Sequence, residues 1–234
     1  MSDVVFERVS CQYVGAPRPA ISGFDLTVAD GELLVLCGAT ESGKSTVLRM
    51  LAGLVPPTDG RILVNGVDIA VGEPPHVGLV FQNYALYPNL TVEQNIGLPL
   101  TQAGEAKRTV SERVARTAEH LDLTGLLGRN AAALSAGLRT RVALARGLVR
   151  EPDVMLMDDP LANLQPEIRD EVAEMLVAAQ QRHRITTLYA SADADEALKL
   201  GDRVALLENG VLRDVVTPDQ VGAASPGQRT APRL

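Results

Sequence analysis

Runs rich in Val, Leu and Ile recur along the chain at Val4–Tyr13, Glu32–Cys37, Arg61–Val64, Val77–Phe81, Val154–Met157, Thr186–Ala190 and Arg203–Glu208. Several carry no polar alternation, which predicts strands buried on both faces, as in a parallel sheet covered by helices. Between them lie helical patterns over Lys44–Gly53, Glu93–Ile96, Glu105–Leu123, Ala136–Arg150, Glu167–Arg182 and Ala194–Leu200. Strand alternating with helix predicts an α/β fold. The stretch from about Pro88 to Arg150 is mainly helical and breaks the alternation. It therefore reads as a helical subdomain, 88–150, inserted into a core made of 1–87 and 151–217. Residues 218–234 turn to Pro, Gly, Ser, Gln and Arg, a composition that predicts a disordered tail. There is no internal repeat.

The length of 234 residues fits one large α/β domain, or a core with a subdomain folded into it. Hydrophobic residues make up 46% of the chain, enough for a sizeable core. The formal net charge of −7, with no basic run, argues against a nucleic-acid partner held on a broad basic face. Cys11 and Cys37 sit in apolar, strand-like surroundings and no secretory segment opens the chain. The expectation is two buried free thiols in a cytosolic protein. No apolar run approaches the roughly 18 residues that span a bilayer, so any membrane association is expected through another protein.

The chemistry begins at Gly38-Ala39-Thr40-Glu41-Ser42-Gly43-Lys44-Ser45, which matches the P-loop pattern of two glycines followed by Lys and a hydroxyl residue. The glycines let backbone N–H groups turn toward phosphate oxygens, and the helix opened at Lys44 and continued by Thr46 offers its N-terminus to the same charge. Lys44 would reach the β- and γ-phosphates, and Ser45 would ligate Mg²⁺. The pattern follows an apolar strand and opens an apolar helix, the context it requires. A second station, Val154-Met155-Leu156-Met157-Asp158-Asp159-Pro160, ends an apolar strand in acid. Asp158 could there hand a carboxylate to Mg²⁺ at the carboxyl edge of the sheet.

With both stations in one chain, the sequence resembles the nucleotide-binding subunits of ABC transporters over nearly everything from Val4 to Pro218. Leu134-Ser135-Ala136-Gly137-Leu138-Arg139 is similar to the family signature, Leu-Ser-Gly-Gly-Gln-Arg, and Val80-Phe81-Gln82 is similar to the Q-loop. The resemblance implies a P-loop ATPase core with an N-terminal β subdomain and an inserted helical subdomain that carries the signature. It implies ATP and Mg²⁺ as ligands, with Gln82 touching Mg²⁺ or the attacking water, and Ser135 and Gly137 contacting a γ-phosphate. Tyr13 falls where the family sets an aromatic ring against adenine; a plain core tyrosine is the alternative. The segment Asn83–Val92 looks most like ATPases of carbohydrate and related solute importers. That implies transmembrane permease subunits as partners, an extracytoplasmic solute-binding protein acting through them, and a place on the inner face of the cell membrane. The sugar-importing branch often carries a further β-rich domain, and the sequence stops before one would begin.

Four departures from the family touch chemistry. The catalytic position after Asp158 is Asp159 where the family has Glu, one methylene shorter. The aligned switch-histidine position is Ala192, whose methyl group donates nothing. Glu41 replaces a P-loop glycine and brings a carboxylate near phosphates. Gln165 stands for an aspartate that reaches across to the partner. In this family two subunits close head to tail, so each ATP lies between one chain's P-loop and the other's signature. The expectation is a degenerate subunit that binds ATP better than it hydrolyses it, paired with a different, consensus ATPase chain. A homodimer using Asp159 as general base, and an inactive or regulatory soluble ABC protein, remain as alternatives.

Overall fold

The computed structural model describes residues 3–72 and 75–222. In chain order the elements begin with β1 (Val4–Cys11), β2 (Ile21–Val28), β3 (Leu33–Cys37), α1 (Lys44–Leu51), β4 (Asp59–Val64), β5 (Val67–Asp68) and β6 (Val77–Val80). Then come α2 (Val92–Gln102), α3 (Lys107–His120), α4 (Ala136–Leu148), β7 (Val154–Asp158) and α5 (Pro166–His183). The chain finishes with β8 (Thr186–Ser191), α6 (Ala194–Leu200), β9 (Arg203–Glu208), β10 (Val211–Val216) and α7 (Pro218–Gly222). The rest of the expected tail lies outside the described residues. These elements form two compact units, Met1–Pro75 with Thr186–Leu234, and His76–Ile185.

The first unit holds an antiparallel sheet in the order β2-β1-β4-β5. Its core side includes Phe6 and Phe24, whose rings meet edge to face with centroids 5.2 Å apart, a favoured aromatic geometry. The second sheet of this unit runs β10-β9-β3-β8, with β3 parallel to both β8 and β9. Every residue of β3 and of β8 is buried; β3 is an unbroken apolar run, while β8 also buries Thr186, Thr187 and Ser191. β2 and β10 were not expected from the sequence. From Phe24 onward β2 does alternate buried and exposed positions, but Gly23 and Asp25 weaken its apolar signal. β10 is half-exposed along its length and is ordered by antiparallel pairing to β9.

The second unit packs α2–α5 with a parallel pair, β6 and β7. α2 runs to Gln102, well past the expected end at Ile96, despite Gly97 and Pro99. Its start explains the persistence. Thr91 and Gln94 form a reciprocal capping box that satisfies two backbone N–H groups. The strand expected over Val4–Tyr13 ends at Cys11, which leaves Tyr13 outside the sheet. Both cysteines are buried and unpaired. Among the described residues no helix is long and apolar enough to cross a membrane.

Candidate functional site

The P-loop leaves the buried end of β3 and enters α1 directly. A Cβ built on Gly38 would lie 2.1 Å from the Leu207 carbonyl oxygen and 2.8 Å from Ser42 Oγ, so no side chain fits there. Gly43 sits at φ +109°, and a Cβ there would meet the Ala20 carbonyl oxygen at 2.7 Å. Both glycines are therefore dictated by backbone crowding as well as by conformation. Lys44 is buried, and its Nζ donates to the carbonyl oxygens of Gly38 at 2.5 Å and Ala39 at 2.9 Å. The ammonium is thus held inside the loop. α1 has no acidic residue in its first turn, so nothing local opposes the positive end of its dipole. Ser45 is half-buried at this turn and Thr46 buried.

Tyr13 is 38% exposed and is not a core tyrosine. Its hydroxyl lies 3.3 Å from Thr46 Oγ1, which sets the ring beside the first turn of α1. A cavity of about 300 Å³ opens against the loop, lined by Arg18, Thr40, Glu41, Asn209 and Arg213 among others. A closed backbone loop, a lysine within it, a helix N-terminus and an aromatic ring at its side fit a nucleoside triphosphate. Glu41 is the discordant residue. It is exposed and sits at φ +67°, in the left-handed region that costs a non-glycine residue about 1–2 kcal/mol. At the foot of the loop, burial pushes the Cys37 thiol above its ordinary pKa, against a weaker downward pull from the Lys44 ammonium.

In the same unit, Ala192 is exposed in the turn between β8 and α6. Side chains around it hold that turn. Asp193 caps α6 by accepting from the N–H groups of Asp195 and Glu196, and Glu196 accepts from the hydroxyls of Tyr189 and Ser191, both at 2.9 Å. The backbone at Ala192 is therefore fixed by its neighbours, with a methyl group as its side chain.

The second unit carries the other expected residues. Asp158 ends β7 and Asp159 follows it at φ +48°, both half-buried. Asp tolerates left-handed backbone better than most residues. Gln82 is exposed just beyond β6, and its carbonyl oxygen accepts from Asn163 Nδ2 at 3.0 Å. The loop after Asp159 and the Gln82 segment are thereby joined. Ser135 is the N-cap of α4, its Oγ accepting from the Leu138 N–H at 3.4 Å. Gly137 is buried, and a Cβ there would approach Ile168 Cγ2 to 2.9 Å. Packing of α4 on α5 therefore demands this glycine. Gln165 stands at the N-cap of α5 but makes no capping bond with its side chain.

The profile of the ABC transporter family matches residues 21–162. The chain belongs to the ABC transporter family. Along 93% of its length it is 44% identical to the diacetylchitobiose uptake system ATP-binding protein MsiK of Streptomyces coelicolor, covering 58% of that protein. It is 40% identical over 94% of its length to the trehalose import ATP-binding protein SugC of Mycobacterium tuberculosis, covering 56% of it. The chain thus spans somewhat more than half the length of these relatives. Among solved structures, cbiO1 of Clostridium perfringens, part of the ABC transporter complex cbiONQ, superposes with a TM-score of 0.86 at 26% identity, over 94% of this chain and 90% of that one.

With the family established, three residues stand out as supports of the Gln82 segment. Asn163 bonds to the Gln82 carbonyl itself, and Arg146 and Asn95 bond to the backbone that follows it. Arg146 ends the run Val142–Arg146 that follows the signature, while no pattern marks Asn95 or Asn163, whose partners here are carbonyl groups alike at every residue.

Proposed function

We propose that this chain is the ATP-binding subunit of an ABC importer for sugars or related small solutes, bound to permease subunits at the cytoplasmic face of the membrane. The observation that carries this reading is the likeness, over more than nine-tenths of the chain, to ATP-binding proteins of diacetylchitobiose uptake and trehalose import. The P-loop geometry supports ATP as the ligand. Backbone N–H groups of the P-loop and the Lys44 ammonium would bind the phosphates, and Tyr13 would flank the base. Ser45, Asp158 and Gln82 would hold Mg²⁺, which when bound offsets the negative charge that develops on the phosphate oxygens. Ser135 and Gly137 would serve a nucleotide on the opposing subunit.

The chain's own site is built to bind more than to turn over. Asp159 would take the proton of the attacking water, but its carboxylate draws back by roughly 1 Å relative to glutamate, and a displacement of that size costs on the order of 10²-fold. Ala192 supplies no hydrogen bond where the family has histidine. On this reading the opposing subunit is a different chain with the consensus residues, completed by Ser135 and Gly137 of this one.

The test is Mg-ATP binding and steady-state hydrolysis by the purified chain, alone and as the Asp159→Glu, Ala192→His double variant. Binding with little turnover, rising about 10²-fold in the double variant, is the expected result. Brisk turnover by the unmodified chain would instead make Asp159 an adequate base and favour a homodimer. A mixed dimer that kept its full rate after substitution of Ser135 and Gly137 would remove the proposed role of this chain's signature.

A further inference from the structure

The segment from Phe81 to Thr91 contains no glycine, yet Tyr84 and Ala85 both adopt left-handed backbone, at φ +61° and +46°. Two adjacent non-glycine residues in that region each bring Cβ against the following carbonyl, so something outside the segment must hold them there. Arg146 holds the pair itself, and two further side chains fix the backbone on either side of it. Arg146, on α4, donates from Nη2 to the Tyr84 carbonyl oxygen at 2.8 Å and from Nη1 to that of Ala85 at 2.5 Å. Asn163 donates to the Gln82 carbonyl oxygen at 3.0 Å. Asn95, fully buried on α2, accepts from the Tyr87 N–H at 2.8 Å and donates to the carbonyl oxygens of Tyr87, Leu90 and Thr91 at 3.0–3.3 Å.

Arg146 is unusual among these. Burial lowers its pKa, and among the described residues no carboxylate pairs with it. Its charge is spent on two neutral carbonyls. A planar fork suits two adjacent acceptors in a way that a lysine ammonium does not. Arg146 also belongs to the helix that Ser135 caps, eleven residues beyond that serine, and Asn163 belongs to the loop that follows Asp159.

We infer that Arg146 and Asn163 are positioning residues that clamp the Gln82 segment, through its carbonyls, to the signature helix on one side and to the loop after Asp159 on the other. Gln82, the signature helix and the Asp159 loop therefore respond as one body rather than as three independent pieces. The inference rests on the proposed ATPase reading for its functional meaning, but its structural content does not.

The experiment compares the full chain with Arg146→Lys and Asn163→Ala by hydrogen exchange, Mg-ATP titration and, in the Asp159→Glu, Ala192→His background, steady-state turnover. Exchange at the amides of residues 83–87 should rise at least about tenfold in Arg146→Lys, with exchange in α3 and the Kd for Mg-ATP unchanged within about twofold. Turnover should fall about tenfold at unchanged KM. Adding Gln82→Ala to Arg146→Lys should cost no more than Gln82→Ala alone, because both act through the same side chain. Ala85→Gly, which removes the steric need for the clamp, should recover at least half of the lost turnover. Unchanged exchange at 83–87 in a folded Arg146→Lys chain would overturn the inference, as would full additivity with Gln82→Ala. Should Arg146→Lys not fold, Asn163→Ala carries the same test. Failure of the unmodified chain to bind Mg-ATP would sink the proposed function, while the exchange comparison would still decide the clamp.

Discussion

The P-loop and the segment that follows Gln82 solve one problem by opposite means. Both leave the end of a parallel strand and both must hold irregular backbone in a fixed shape. In the P-loop the shape is written into the chain itself. Gly38 and Gly43 stand where any Cβ would collide with backbone, and the loop's own lysine ties down two of its carbonyls. In the Gln82 segment there is no glycine at all; the left-handed pair Tyr84–Ala85 is held by Arg146 of α4, the Gln82 carbonyl by Asn163 of the loop after β7, and the stretch beyond by Asn95 of α2. The P-loop rests on its own glycines and lysine, set against the backbone of Leu207 and Ala20. The Gln82 segment rests on borrowed side chains, so its shape depends on where their elements stand.

The largest effect expected on that contrast comes from Gly38→Ala. The added methyl would fall 2.1 Å from the Leu207 carbonyl oxygen, so the loop must shift. A cost of about 3 kcal/mol in urea unfolding is expected from overpacking of this kind. Mg-ATP binding should weaken at least about 10²-fold in a fluorescence titration. Retained binding would mean that the P-loop is not shaped by its glycines.

Next in size is Asn95→Ala. It strands the Tyr87 N–H and withdraws a donor from three carbonyls, and buried groups left in that state cost about 2 kcal/mol. Faster hydrogen exchange should be confined to residues 87–91, with nucleotide affinity unaltered. Weakened nucleotide binding would break the distinction between the two loops.

A smaller effect, of opposite sign, is expected at Glu41. The residue has left-handed backbone without a glycine and brings a negative charge to the mouth of the loop. Glu41→Gly relieves the steric cost and loses part of the gain to the greater freedom of the unfolded chain, for a net of roughly 0.5 kcal/mol. Removing the carboxylate should tighten Mg-ATP about tenfold at low salt, with less gain as salt rises. An isothermal titration at two ionic strengths reads both parts. No change in affinity would mean that the Glu41 carboxylate stays clear of the phosphates.

The smallest expected change is Gln165→Asp, a capping residue restored at the start of α5. The glutamine there makes no capping bond, and a good N-cap contributes about 0.5–1 kcal/mol. Thermal unfolding should shift upward by roughly 2–3 °C. An unchanged midpoint would show that α5 is held by its packing alone.

The legibility of the fold follows the same division. β3 and β7 were readable because burial on both faces leaves an apolar run, and α6 because Asp193 caps it and an acidic first turn follows. β10 was not readable, since its half-exposed residues take their order from β9. α2 outran its expected end because the capping box at Thr91 and the packing of its buried face outweigh Gly97 and Pro99. In the candidate site, the P-loop and the acidic end of β7 were legible as residue types at fixed spacing, and the signature through the family resemblance. Tyr13 was placed by resemblance, and the structure resolved it away from the core because the strand stops at Cys11.

By itself the sequence offered the candidate chemistry of the chain: which residues could bind phosphate, which could hold a metal ion, and where Asp159 and Ala192 stand in place of the residues that the resemblance implies. It could do so because glycine, lysine and carboxylate carry their properties wherever the fold puts them. Only the tertiary structure decided that Gly137 is required by α5, that Gly38 faces the Leu207 carbonyl, and that Arg146 and Asn163 hold the backbone beyond Gln82. Those facts depend on contacts between residues distant in sequence, and their acceptors are backbone carbonyls, which every residue possesses and no composition or spacing can distinguish.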